Sequence, residues 1–402
     1  MNSSRPLNRQ TSFWVCAAIV MHTLWTSAAP VLTYPLYAAQ WNLTPTVTTG
    51  IFAIYPAVVV ATLLLFGNVS DYVGARVPML LGLAASALGT LFLATATHLE
   101  WLFVGRVFMG VGVGLSAGPA TASLVAFNPS ERMSFSATVN AASQALGLGA
   151  AMLLGGALVQ YAPFPTRLNF WFLLVVIMTI ALAAWRLPRT ATRKSFRSWR
   201  PGAVGIPRDI LPTFLASALV VTTAYVLGAI TLSLGGQIAK QVVGSSNAFI
   251  NGAAISLFAI CNGATTIGAG NVRVKRNITL GTVSSVAGLL LLMVAAHERS
   301  LAMFLASSTF TGIAYSMQFR GGLGLLVEAM SAEQRGATLS AIYLIAYLFQ
   351  GAVALSLGVL ATAHGLSTAV YAGAPVVAAL SLAGLFLCSR LEPRISTAVS
   401  AK

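Results

Sequence analysis

The sequence predicts an all-α polytopic membrane protein, with twelve transmembrane helices in two pseudo-symmetric six-helix bundles. Three observations lead there. Of 402 residues only 23 are Lys or Arg and 8 are Asp or Glu, 8% in all, against 57% apolar; soluble domains carry roughly 25% charged residues. The few charges fall in short gaps between long apolar runs, and a run of about 20 residues matches a hydrocarbon core about 30 Å thick. The basic residues are also sorted: alternate gaps hold 18 of them and the intervening gaps hold 3.

Twelve spans are expected at 12–38, 48–68, 77–97, 101–127, 134–160, 168–188, 210–233, 247–270, 278–296, 301–329, 337–362 and 368–389. Helices follow because backbone groups in lipid must bond within the segment or in a closed barrel, and no ten-residue alternating pattern is present. The polar start with Arg5 and Arg9 precedes an apolar run too long for a cleaved signal, so that run is expected to stay as the first helix. Lys and Arg accumulate in cytoplasmic loops. The 18-to-3 sorting therefore puts both ends of the chain inside, leaving Arg167, Lys240 and Arg299 outside. The longest inside gap, 189–209, is basic and contains Pro201 and Pro207; it reads as a linker between halves 1–188 and 210–402, lying near anionic headgroups. The halves resemble each other weakly: LVAFNPSERMSFSA at 124–137 parallels LVEAMSAEQRGATLSA at 326–341, and Gly156 and Gly358 follow at a 202-residue offset. Cys16, Cys261 and Cys388 lie in or at the ends of apolar runs, with neither metal nor disulfide spacing.

Between spans 2 and 3 stands Gly67-Asn68-Val69-Ser70-Asp71-Tyr72-Val73-Gly74-Ala75-Arg76. So short a turn needs glycine where φ is positive; an acid beside a helix start is favoured by the dipole, and a nearby Arg can pair with it. With Arg106-Val107-Phe108-Met109-Gly110-Val111-Gly112 in span 4, the chain resembles the major facilitator superfamily over its whole length, and in particular its twelve-helix drug:proton antiporter branch. The resemblance implies two bundles rocking about a central cavity in a bacterial inner membrane, with protons as coupling ion and the protein working as a monomer. It implies a gating motif at Gly67, Asp71, Gly74 and Arg76, with Asp71 and Arg76 as a cytoplasmic latch, and links Arg106 to proton coupling. Two departures stand out: the matching loop of the second half, 270–276, has no acid, and span 5 reads Ala151-Met152-Leu153-Leu154-Gly155-Gly156 where the antiporters carry Gly-Pro-x-x-Gly-Gly.

An ionisable residue inside the bilayer is costly and is a functional candidate by default. Arg106 is one, with pairing to backbone carbonyls as its structural alternative. Arg320, between Phe319 and Gly321-Gly322, suits a carboxylate or phosphate in a dry cavity; it could equally pair with Glu328 or snorkel to the surface. His22 suits a proton relay or a buried neutral histidine bonded to a neighbour. All eight acids lie near span ends or in loops, which leaves His22 and Glu328 as titrating candidates. Neutral cavity-lining candidates are Tyr34, Tyr37, Asn140, Gln144, Tyr225, Asn251, Asn262, Tyr343, Tyr347 and Gln350. Aromatics with few charges favour amphipathic organic solutes.

These residues predict a secondary transporter that exports small organic compounds against proton entry, or else an importer or uniporter of a small, possibly anionic metabolite. Enzyme chemistry has no foothold: there is no nucleophile–base set, metal cluster or phosphate-binding Gly-x-x-x-x-Gly-Lys, so neither cofactor nor metal is expected. The net charge of +15 follows from topology and not from nucleic-acid binding, since no basic stripe is interleaved with aromatics.

Overall fold

The computed structural model describes residues 7–130, 132–189, 199–201, 205–269, 272–331 and 334–391. Its helices make twelve spans. Span 1 is Arg9–Ala28, continued after a break by Tyr34–Trp41; spans 2 to 6 are Pro45–Phe66, Arg76–Ala94, Leu99–Ala126, Met133–Tyr161 and Leu168–Ala184. Span 7 is Leu211–Ala229, prolonged by Ile230–Leu234, Gly235–Gln237 and Ile238–Val242. Spans 8 to 12 are Ala248–Gly268, Val274–Glu298, Leu301–Ala329, Arg335–His364 and Leu366–Arg390. Among the described residues, nine are long and apolar enough on their own to cross a membrane. The first is broken, the sixth has 17 residues, and the tenth is rich in Ser, Thr and Gly.

Local sequence sets several ends. Asn8 caps span 1 by accepting from Thr11 N at 2.8 Å, and Asn247 caps span 8 by accepting from Phe249 N and Ile250 N. Thr44 caps span 2 ahead of Pro45. Gly74 has φ 79°, a conformation open to glycine; Gly67 is helical at φ −59°, so only one of the two motif glycines is explained by positive φ.

Two expected spans differ in detail. The first, expected as one helix over 12–38, breaks at Ala29–Thr33 because Pro30 has no N–H to continue the ladder. The seventh runs beyond 233 to Val242 as π-helical turns around Gly235-Gly236, so Lys240 stands in a helical turn, exposed, and not in a loop.

Leu7 N donates to Arg186 O at 3.0 Å, which places the start of span 1 and the end of span 6 on one face, here the terminal face. The opposite, or far, face carries the span 1–2, 3–4, 5–6, 7–8, 9–10 and 11–12 connections. Within each bundle, glycines set the closest helix pair. A Cβ on Gly82 would lie 2.6 Å from Gly112 O, and one on Gly89 would lie 2.6 Å from Gly105 O, so spans 3 and 4 touch backbone to backbone. Gly281 and Gly288 repeat this seven-residue pair in span 9, where a Cβ would meet Gln318 at 2.9 Å and Thr311 N at 3.0 Å. Without a hydrophobic drive between helices in lipid, such close packing is a main source of association.

Gly112→Val should therefore force spans 3 and 4 apart, at about 1–3 kcal/mol by analogy with overpacked cores. Thermal melting of the detergent-solubilised protein should shift down accordingly; an unchanged melt would mean that this helix contact is absent.

Candidate functional site

A cavity of about 200 Å³ lies at the centre of the molecule, between the two bundles. The first bundle contributes Thr23, Ser27, Tyr55, Thr121 and Gln144; the second contributes Tyr225, Phe258, Asn262, Tyr315, Tyr347 and Gln350. No Asp, Glu, His, Lys or Arg is among its described lining residues. The second bundle's rings form one wall: Tyr225 and Tyr347 meet edge to face with centroids 4.9 Å apart, and Phe258 and Tyr315 do so at 5.6 Å.

The cavity is shut on the far face. Span 2 meets span 11 there: Thr46 N donates to Thr362 Oγ1 at 2.9 Å, and the two hydroxyls lie 2.8 Å apart. Span 5 meets span 8: Ala248 N donates to Gln160 Oε1 at 2.8 Å, and a Cβ on Gly156 would lie 2.9 Å from Ala248 O. Span 7 closes on span 2 through Gln237 Nε2, which donates to Thr48 Oγ1 at 2.8 Å. At the other end Thr121, five residues from the end of span 4, both lines the cavity and is exposed. The cavity thus opens toward the terminal face.

The intramembrane arginines do not enter this cavity. Arg106 is fully buried just behind its wall. Nη1 donates to Ser27 O at 3.0 Å and Nε to Ile51 O at 3.4 Å, while the guanidinium carbon sits 4.3 Å from the Tyr55 ring centroid. Ser27 O is free because Val31 N bonds instead to Ala28 O within the turn at Pro30. The same break leaves Ala29 O to accept from Asn169 Nδ2 at 2.8 Å. Arg106 Nη2 and the nearby Tyr34 hydroxyl are buried without hydrogen-bond partners.

Arg320 is turned toward span 8. Nη1 donates to Thr266 O at 2.9 Å and Nη2 to Ala269 O at 3.5 Å, so the cation caps that helix's C-terminal carbonyls. Arg320 is not among the described lining residues of the cavity, and two of its guanidinium nitrogens donate to backbone carbonyls of span 8. Glu328 does not pair with it; it is exposed on the terminal face in a cleft with Arg273, Lys275 and Arg276.

His22 lies between spans 1 and 3, outside the cavity lining. Nδ1 is 2.6 Å from Ile19 O and Nε2 is 3.2 Å from Ser86 Oγ. A carbonyl only accepts, so Nδ1 carries a proton; Nε2 accepts from Ser86 when the ring is neutral and donates to it when the ring is charged. Asn140 Oδ1 accepts from Thr121 at 3.2 Å near the cavity mouth. Tyr343 packs half-buried on the neighbouring cluster around Phe214 and Ile342. In the motif loop, Asp71 is exposed and makes no ion pair with Arg76. Arg76 instead donates to Leu187 O at 3.2 Å and lies 5.5 Å from the Trp185 ring centroid, fastening span 3 to the end of span 6.

Gln144, Tyr225, Asn262, Tyr347 and Gln350 were thus legible as polar residues within spans. Tyr55, Phe258 and Tyr315 were not singled out; the adjacent Pro56 and the spacing of aromatics in spans 8 and 10 were the available signals.

Arg320→Ala should cost about 1.5–3 kcal/mol per lost charged hydrogen bond, seen as a lower melting temperature, and leave solute binding within about twofold. Lost binding with an unchanged melt would put the guanidinium in the solute path.

The comparisons agree with this fold. No curated protein matches the sequence. Among solved structures, a bacterial homologue of the human lysosomal transporter Spinster, inward-facing and unoccupied, aligns with a TM-score of 0.74 at 14% identity, covering 96% of this chain and 99% of that one. The nucleoside transporter NupG aligns with a TM-score of 0.74 at 12% identity, covering 96% and 100%. A peptide transporter, POT, does so with a TM-score of 0.74 at 16% identity, covering 96% and 95%. At these identities the likeness is one of fold. The model of the Major Facilitator Superfamily matches residues 14–277, well over half the sequence, and the chain belongs to that superfamily of membrane transporters.

Proposed function

We propose that the chain is a secondary transporter that exports small organic compounds by alternating access. The observation that carries this is the central cavity, sealed on the far face by contacts between the bundles and open at the terminal face. Small residues make that seal: a Cβ on Gly252 of span 8 would overlap Met152 O of span 5. An interface of this kind can close tightly and part without breaking ion pairs.

The terminal face is assigned to the cytoplasm, on the 18-to-3 sorting of basic residues, which makes the structure inward-open with both termini inside. A bacterial inner membrane and a monomeric state follow from the sequence resemblance. The moving bodies are residues 1–188 and 210–402, strapped by 189–209. In support, Trp199 of the strap stacks on Phe66 at 5.8 Å and donates to Asn68 Oδ1 at 3.1 Å, whereas Gly205 O accepts from Thr338 of span 11 at 3.5 Å. Trp199 thus meets the terminal-face end of span 2, and Gly205 that of span 11. The gating role of Gly67, Asp71, Gly74 and Arg76 concerns the other state, in which this face closes.

Proton coupling rests on the resemblance, with His22 and Glu328 as titrating groups. Uncoupled uniport is favoured instead by one observation, the lack of a carboxylate, histidine or cation among the cavity-lining residues. Vesicles separate the two: coupled export predicts solute accumulation driven by a pH gradient and abolished by a protonophore, whereas uniport predicts equilibration only. Gly252→Val should wedge the far face open, abolish solute exchange and raise labelling of a cysteine at Thr48. Full exchange by this variant would contradict gating at spans 5 and 8.

A further inference from the structure

Two cavity-lining amides make no hydrogen bond to protein among the described residues. Gln144 of span 5 and Gln350 of span 11 both line the cavity, and the structure gives neither a protein hydrogen bond. Gln350 is only 9% exposed, and its Oε1 is buried without a partner. An unsatisfied buried polar group costs about 1–3 kcal/mol, and here it borders a cavity instead of the packed core. The two glutamines come from opposite bundles and from helices that correspond in the repeat. They are 206 residues apart, and the repeat offset of 202 puts them one helical turn from equivalence.

The surroundings restrict what the amides can hold. Tyr347 is three residues from Gln350 on the same helix face, and with Tyr225 and Tyr315 it offers π surface. Among the described residues charge is absent from the lining, and Arg106, the buried cation behind its wall, is engaged through Nη1 by Ser27 O, through Nε by Ile51 O and over its face by the Tyr55 ring, while Nη2 is buried without a hydrogen-bond partner. A charged solute would lose hydration there with no counter-charge to replace it. A carboxamide presents a donor and an acceptor side by side, which a solute with an adjacent N–H and C=O complements.

We propose that Gln350, with Gln144 of the other bundle on the same cavity, is the specificity-determining pair. It selects uncharged planar heterocycles that carry a lactam-type N–H and C=O edge, stacked on the Tyr225–Tyr347 wall. This rests on the transport reading for its purpose but not for its test. Because one amide comes from each bundle, such a solute touches both moving bodies and can sense their relative position.

The test is equilibrium binding to purified protein, with carbostyril and N-methylcarbostyril as a pair differing in one N–H. Carbostyril should bind the wild type about tenfold more tightly than its N-methyl analogue, equivalent to about one net hydrogen bond. Gln350→Leu should erase that preference and keep or raise the melting temperature of the free protein, because it removes an unsatisfied polar group. Gln144→Leu should weaken carbostyril binding in the same sense, and Gln350→Asn should retain part of the preference. Equal binding of the two probes, no binding of either, or a preference that survives Gln350→Leu would overturn the proposal. Vesicle flux is scored separately: selective binding without flux would leave the amide pair standing and remove the transport reading, while flux of other solutes without selective binding would do the reverse.

Discussion

A helix cannot break or end within a bilayer unless something donates to the carbonyls it frees, because no water is there to do so. Much of this structure follows from how that demand is met. The arginine side chains of Arg76, Arg106 and Arg320 each reach a carbonyl at a helix end or break: Leu187 O, Ser27 O, and Thr266 O with Ala269 O. Arg106 lets span 1 break at Pro30 and start again as Tyr34–Trp41. Asn169 completes the same break from span 6. Cations serve here as helix caps, a role that the positive end of no other common side chain fills with so many donors.

That use of charge leaves the cavity neutral. With the arginines committed to backbone and the acids at span ends or in loops, the centre is furnished by tyrosines, amides and hydroxyls. The far-face seal is correspondingly made of threonines, glycines and neutral hydrogen bonds. Weak, numerous contacts of this kind suit a gate that must open on each cycle, since no buried ion pair has to be desolvated or broken.

The twelve spans were legible because hydropathy and the positions of charge act over whole helices. The loop around Asp71 and the span 4 glycines were legible because turns and close approaches demand particular residues. Gly112 now has its reason in Gly82 O. Helix rotation was not legible: nearly every face of these spans is apolar, so periodicity does not say which side meets the cavity. His22 and Arg320 were conspicuous in the sequence, yet both point to neighbouring helices. Tyr55, Phe258 and Tyr315 look ordinary in the sequence, yet all three line the cavity. Arg320 turns to the open carbonyls of span 8, which are distant in sequence and therefore give no local sign of that contact.

The central claim is that the two bundles exchange closure between faces around this neutral cavity. Pulsed electron spin resonance on a background lacking the three native cysteines tests it most directly, with one label pair at Gln40 and His364 on the far face and another at Val125 and Gly336 on the terminal face. The account predicts reciprocal two-state distributions: wherever a population with a lengthened far-face distance appears, an equal population with a shortened terminal-face distance appears with it, and solute shifts both together. Two distances that stay single and fixed, or that change independently of each other, would contradict it.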